Sequence, residues 1–317
     1  MAKLVSIVNM AHSPFCYRPP EQWNEVRASR SLRADVPFDD IDVNRTKWTR
    51  IQRAFTTLRE ALSAARPDVI VVFGDDQLEC FDFSNYPSFS VYVGPEFQGT
   101  LFSGKMQRVP GHTELAVAVL SGLMRRGFDP AFSTDMPKPE RGIGHAFLRP
   151  AESLTDFTIP IVPVLVNCYY APQPTALRCY QLGRAVREVI DEHPGSLRVA
   201  VVGSGGLWHT PAAPDAYLDE EFDGALLRYM QAGDARGMAE HFDGYKVPPG
   251  DRSQDLGTRS RGVTGMPTAS GPQGGSRETC NWIAATAVGE GRPATVVDYV
   301  PVYASPIGAA FAYWPTP

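Results

Sequence analysis

Two of the chain's six histidines sit where a metal ligand or a proton carrier would be placed. His12 follows the apolar run 3–10, in Ala11-His12-Ser13-Pro14. His209 follows the run 197–202 and the stretch Gly203-Ser204-Gly205-Gly206, whose small residues let backbone approach a ligand closely. A third apolar run, 69–73, leads into Gly74-Asp75-Asp76-Gln77-Leu78-Glu79. Imidazoles and carboxylates gathered at strand ends suit a divalent cation or general acid/base work. Either histidine could instead be a hydrogen-bonded loop residue. His145, in Gly142-Ile143-Gly144-His145-Ala146-Phe147, also has small neighbours and stays open. His112 suits a helix start, His193 a helix end, and His241 a solvated helix end. The glycine run is neither GxGxxG nor GxSxG, because Val202 stands where the second motif needs glycine.

The elements that must position these residues alternate. Strands are expected at 3–10, 69–73, 88–93, 159–166, 197–202 and, as the last, 294–299. Helices are expected at 45–65, 112–126, 176–192, 218–231 and 277–288, the last carrying Glu278. Prolines 160 and 163 suit an edge strand or a bend. The pattern predicts one α/β domain over 1–317, with a central, mostly parallel or mixed sheet and helices on both faces. Such sheets bind ligands beyond the carboxyl ends of their strands. Residues 17–44 read as a surface excursion, and 246–276 as a flexible Gly/Ser/Pro-rich loop, a possible lid.

The 317 residues carry a formal charge of −5, with no basic run, so nucleic acid and anionic membrane are poor partners. No stretch approaches the roughly 20 apolar residues of a membrane span. With no signal-peptide pattern, the expected location is cytoplasmic. Five cysteines without CxxC predict small buried side chains, not a zinc site or a disulfide framework. A homodimer is the default assembly.

Several motifs together resemble the class III extradiol ring-cleavage dioxygenases, the superfamily of the protocatechuate 4,5-dioxygenase catalytic subunit. The likeness is closest to the 3-O-methylgallate and gallate-type enzymes. It runs through Pro19-Pro20-Glu21-Gln22-Trp23, Gly74-Asp75-Asp76-Gln77-Leu78-Glu79-Cys80-Phe81 and Pro110-Gly111-His112. It continues through Gln173-Pro174-Thr175-Ala176 with Arg178-Cys179, Ser204-Gly205-Gly206-Leu207-Trp208-His209, and Val297-Asp298-Tyr299-Val300-Pro301. Single tripeptides are weak signals; their order and spacing together are fairly specific.

The resemblance implies a non-haem metal enzyme opening a catechol- or gallate-like aromatic acid with dioxygen. Its cofactor would be iron(II), with another divalent metal possible. His12 matches a metal-binding histidine, Glu278 the metal-binding carboxylate and His209 the acid/base histidine. His145 sits near a histidine that faces the substrate, which makes it a candidate for catalysis and, with Gly206, for substrate binding. The protocatechuate enzymes place a second metal-binding histidine where this chain has Gln77. Gln77 ranks first by position for the third ligand and Glu79 second by charge, while His145 could supply an imidazole. Two other readings stand beside this one: a metal-dependent hydrolase or lyase on the same fold, and a non-catalytic member that binds an aromatic acid.

Overall fold

The computed structural model describes residues 1–253 and 265–315. Four parallel strands form its centre: β7 (Ile161–Val166), β2 (Val69–Gly74), β8 (Arg198–Gly205) and β1 (Lys3–Ala11), adjacent in that order. Each reads as an almost continuous apolar run because both faces of the sheet are covered. The period of two divides each run. Val69, Val71 and Phe73 enter one core and Ile70 and Val72 the other. On the first face lie α3 (Thr113–Arg125), α5 (Ala176–Glu192), α6 (Glu220–Ala232), α7 (Ala235–Gly244) and α8 (Thr279–Val288). On the second lie α2 (Ile41–Ala65) and α4 (His145–Pro150), with the hairpin β4 (Glu96–Thr100) and β5 (Met106–Pro110).

The sheet is mixed. β3 (Phe89–Tyr92) joins β7 antiparallel, and β6 (Ala131–Ser133) joins β3. On the other side β10 (Ile307–Trp314) pairs antiparallel with both β1 and β9 (Thr295–Val302). Strand β9 is therefore not the last, and β10 is inserted between it and β1. β7 is also an interior strand. Its Pro163 is tolerated because pairing with β3 begins only at Val164, the next residue, so the missing N–H breaks no ladder bond on that side.

The excursion 17–44 is anchored rather than loose. It contains the short helix α1 (Trp23–Ala28), whose Trp23 is fully buried. Arg27 donates to the carbonyls of Val36 and Tyr303 at 3.0 and 2.8 Å. Of the segment 246–276, residues 254–264 lie outside the described residues. Its end is tied down, with Gln173 donating to Gln273 at 3.2 Å. All five cysteines are free and buried. Among the described residues no helix is long and apolar enough to cross a membrane.

Helix α8 packs very close to α5. A Cβ at Gly183 would stand 2.0 Å from the Ala284 carbonyl oxygen. Alanine there gains about 1 kcal/mol of helix propensity but forces the helices apart, which typically costs about 1–3 kcal/mol. Gly183→Ala is expected to lower the denaturant midpoint, with a net loss of up to about 2 kcal/mol. An unchanged or raised midpoint contradicts the close-packed crossing.

Candidate metal centre

The carboxyl ends of the parallel strands deliver the site. His12 is the first residue after β1 and Asp75 the first after β2. Glu278 closes the 3-10 turn Gly274–Glu278 and caps α8, so it precedes that helix rather than riding on it. The glycines at the end of β8 let this turn approach: a Cβ at Gly205 would lie 2.7 Å from the Glu278 carbonyl oxygen. Sequence reading gave those glycines to a ligand; they admit the chain's own backbone.

His12, Asp75 and Glu278 are all 2% exposed or less. One ligand-type atom from each falls within 4.8 Å of the other two. His12 Nε2 stands 3.0 Å from Glu278 Oε2. Beyond that one contact, His12 Nε2, Glu278 Oε2 and Asp75 Oδ2 have no hydrogen-bond partner. The companion atoms are all engaged. Ser204 Oγ lies 3.0 Å from His12 Nδ1, and Asn281 donates to Asp75 Oδ1 at 3.0 Å. Glu278 Oε1 accepts from Tyr169 and, at 3.1 Å, from Gln77 Nε2. Three buried, unsatisfied donor atoms from an imidazole and two carboxylates fit a divalent cation, and their neighbours hold each group in orientation.

Electrostatics agree. Burial and the facing Glu278 charge push the Asp75 carboxyl well above its usual range. Burial works against the charge on Glu278 as well, but His209 and His12 outweigh it and hold the group well below the usual range. Burial lowers the His12 imidazole against the opposing pull of Glu278, which favours the uncharged form that can ligate. Two carboxylates in a dry site demand a counter-charge.

Residues 38–300 match the family described as the catalytic LigB subunit of aromatic ring-opening dioxygenase. This chain belongs to the LigB family. It is 29% identical over 177 residues to a 2,3-dihydroxyphenylpropionate/2,3-dihydroxicinnamic acid 1,2-dioxygenase of Klebsiella pneumoniae, covering 55% of this chain and 54% of that one. It is 37% identical over 105 residues to a gallate dioxygenase of Pseudomonas putida, 32% of this chain and 29% of the relative. The chain thus spans about half the length, or less, of these curated relatives. An uncharacterized protein of Escherichia coli K12 covers 98% of the chain and 99% of its own, at TM-score 0.46 and 14% identity.

Within this LigB chain the expected residues divide. His12, Glu278 and His209 converge, with His209 Nε2 3.2 Å from Glu278 Oε1. Gln77 reaches the same carboxylate through its amide nitrogen. Glu79 is engaged elsewhere: its Oε1 lies 2.8 Å from His145 Nδ1 and accepts from the His145 backbone at 3.1 Å. Gly144 leaves room for that pair, since a Cβ there would meet Glu79 Oε2 at 2.6 Å. Gly206 makes room for the His209 ring, 3.2 Å from where its Cβ would be. His112 caps α3, its Nδ1 accepting from Leu115 N at 3.2 Å. His241 is half-buried among Phe222, Tyr229 and Tyr245 and so only partly solvated.

Sequence reading passed over Asp75 as a ligand, although its place after β2 mirrors that of His12 after β1. Neighbouring Asp76 serves the loop instead. Its carboxylate accepts from Cys80 N and Phe81 N at 2.7 and 3.2 Å and pins the turn that follows β2. A cavity of about 280 Å³ opens beside the group, lined by His12, Gln77, His145, Tyr169, His209 and Glu278 among others.

The Glu79–His145 pair sets a pH window. Burial opposes both charges, yet each partner stabilises the other. His145 is raised to about 9 and Glu79 lowered to about 2. The raised histidine contributes stability fully present below about 6.5 and lost as pH rises through about 9. The lowered glutamate contributes above about 4.5 and fades as pH falls through about 2. Thermal melts of Glu79→Gln should therefore fall furthest below wild type between about pH 4.5 and 6.5, by about 1–3 kcal/mol. The gap should close toward pH 9. A deficit constant from pH 5 to 9 contradicts the ion pair.

Proposed function

We propose that this chain is a non-haem, metal-dependent extradiol dioxygenase that opens a catechol- or gallate-like aromatic ring with dioxygen. The observation that carries the reading is the meeting of His12 Nε2, Asp75 Oδ2 and Glu278 Oε2, all buried, the first and last facing only each other and Asp75 Oδ2 without a partner, in a chain of a catalytic ring-opening family. These three residues would hold the metal, with Gln77 beside them. The relatives' names point to rings bearing neighbouring hydroxyls, which is the substrate class assigned. Iron(II) is the first choice, with other divalent ions open. When bound, the ion supplies positive charge that favours an ionised diol and the redox chemistry that dioxygen needs.

The chain's own residues do the remaining work. The His209 Nδ1–H donates to the Leu207 carbonyl at 3.1 Å, so Nε2 is the nitrogen left for chemistry. Burial lowers the basicity of this imidazole, but the facing Glu278 charge more than offsets it and raises the pKa above 6.5. Near neutral pH such a group can take a proton from a substrate hydroxyl and return it later. His145, charged through Glu79, offers a hydrogen-bond donor to the anionic ring. The excursion 17–44 supplies Arg18, Val26 and Arg30 to the cavity wall and would exclude water from one side.

One observation favours a second reading. A set of one imidazole and two carboxylates, with Gln77 where related enzymes have histidine, also suits a redox-inert ion and hydrolase or lyase chemistry. Oxygen uptake with gallate under iron(II) separates the two. Binding without uptake under any metal would leave a non-catalytic member.

Elemental analysis after iron loading is expected to show Asp75→Asn and Glu278→Ala losing most of their metal. Full occupancy in both would place the ion elsewhere. His209→Phe should keep its iron while kcat for oxygen uptake drops about 10²- to 10⁴-fold. Undiminished turnover removes His209 from the proton transfer.

A further inference from the structure

Two guanidinium groups line the cavity of the metal centre with no acid to meet them. Arg18 and Arg30 flank α1 on the excursion, and both border the cavity that holds His12 and Glu278. Among the described residues no carboxylate pairs with either. Arg18 donates only to the neutral amide oxygen of Gln22, at 3.2 Å, and lies over the Phe102 ring. The Nε atoms of both arginines are buried and without a hydrogen-bond partner. Arg149, the third arginine in the wall, is different: Glu152 meets it at 2.5 Å. Arg18 and Arg30 are also close enough for the Arg18 charge to help lower the Arg30 pKa, after burial, the larger cause. Two like charges held together, partly desolvated and unpaired, cost free energy that an anion would return.

Their backbone is fixed in place. Trp23, wholly buried, donates its indole N–H to the Arg18 carbonyl at 3.1 Å. The Arg30 amide is bonded to Arg27 O at 3.0 Å, and Arg27 is itself anchored to Val36 and Tyr303. A planar guanidinium fork matches a carboxylate, and both forks border the same cavity as the metal-ligand atoms of His12 and Glu278.

We propose that Arg18 and Arg30 form the acid-group subsite of this cavity, taking the carboxylate of an aromatic acid whose hydroxyls face His12, Asp75 and Glu278. The assignment rests on the reading of the cavity as a substrate site for an aromatic diol. It makes the two arginines specificity determinants that select ring acids over neutral diols.

Gallate and pyrogallol carry the same three hydroxyls and differ only in the carboxylate. Calorimetric titration of each into the iron(II)-loaded protein without oxygen reads binding apart from turnover. Wild type should prefer gallate. Arg18→Gln and Arg30→Gln should each weaken gallate about 10- to 100-fold and shift pyrogallol by less than about threefold. Arg30→Lys should restore part of the preference, since it keeps the charge but not the fork, and it replaces the glutamine variant if that one does not fold. Equal losses for both ligands, unchanged gallate binding, or no preference in wild type overturns the proposal. Should wild type prefer gallate, and the variants lose that preference, with no oxygen uptake on readmitting air, the dioxygenase reading fails while the subsite stands.

Discussion

Two buried carboxylates brought to one point, Asp75 and Glu278, are the constraint around which this structure is arranged. Taking either out of water unpaired is costly, and placing them together adds repulsion. The histidines on either side of Glu278 offset part of that cost. They leave one oxygen of Asp75 with no partner, and one oxygen of Glu278 and one nitrogen of His12 facing only each other. Ordinary core packing removes such atoms. Here their neighbours preserve them: Asn281 holds Asp75 from one side while donating to the Ser204 carbonyl at 2.9 Å, and Ser204 Oγ occupies His12 from the other.

The sheet exists in a form that makes this meeting possible. Parallel β1, β2 and β8 end on the same side, so residues from three distant parts of the chain arrive together. The glycines of β8 then decide how close α8 can come. Side chains at Gly203 or Gly205 would collide with Asn9 or with the Glu278 backbone. On the β2 side the chain turns through Leu78 at φ 67°, a left-handed conformation that a leucine adopts only at a cost of about 1–2 kcal/mol. Asp76 and its bonds to Cys80 and Phe81 hold that turn, and with it Gln77 and Glu79.

Much of this was legible in the chain because periodicity reports burial. The doubly covered strands announce themselves as apolar runs, and α5 falls at Ala176–Glu192 as its pattern requires. What periodicity missed has physical reasons. Half of β10, Ile-Gly-Ala-Ala-Phe-Ala-Tyr-Trp, is glycine and alanine, which have low strand preference, and a side chain at Gly308 would strike Asp223. α7 is a short helix directly after the left-handed Gly233 that ends α6, and the loop-like composition around it masks it. For the site, strand ends pointed to His12, to the loop after β2 and to the glycines before His209. Glu278 came from the family pattern, since nothing local marks a glutamate in a 3-10 turn. The same pattern drew attention to Gln77 and away from Asp75. The arginines of the excursion could not be read at all, because their chemistry depends on which acids are absent from their surroundings.

Anaerobic crystals of the iron(II)-loaded protein, with anomalous difference maps recorded on both sides of the iron edge, test the central claim most directly. A single strong peak within bonding distance of His12 Nε2, Asp75 Oδ2 and Glu278 Oε2 is the expected result. A peak that excludes Asp75 or His12, or none at this point while iron is bound elsewhere, would contradict the account.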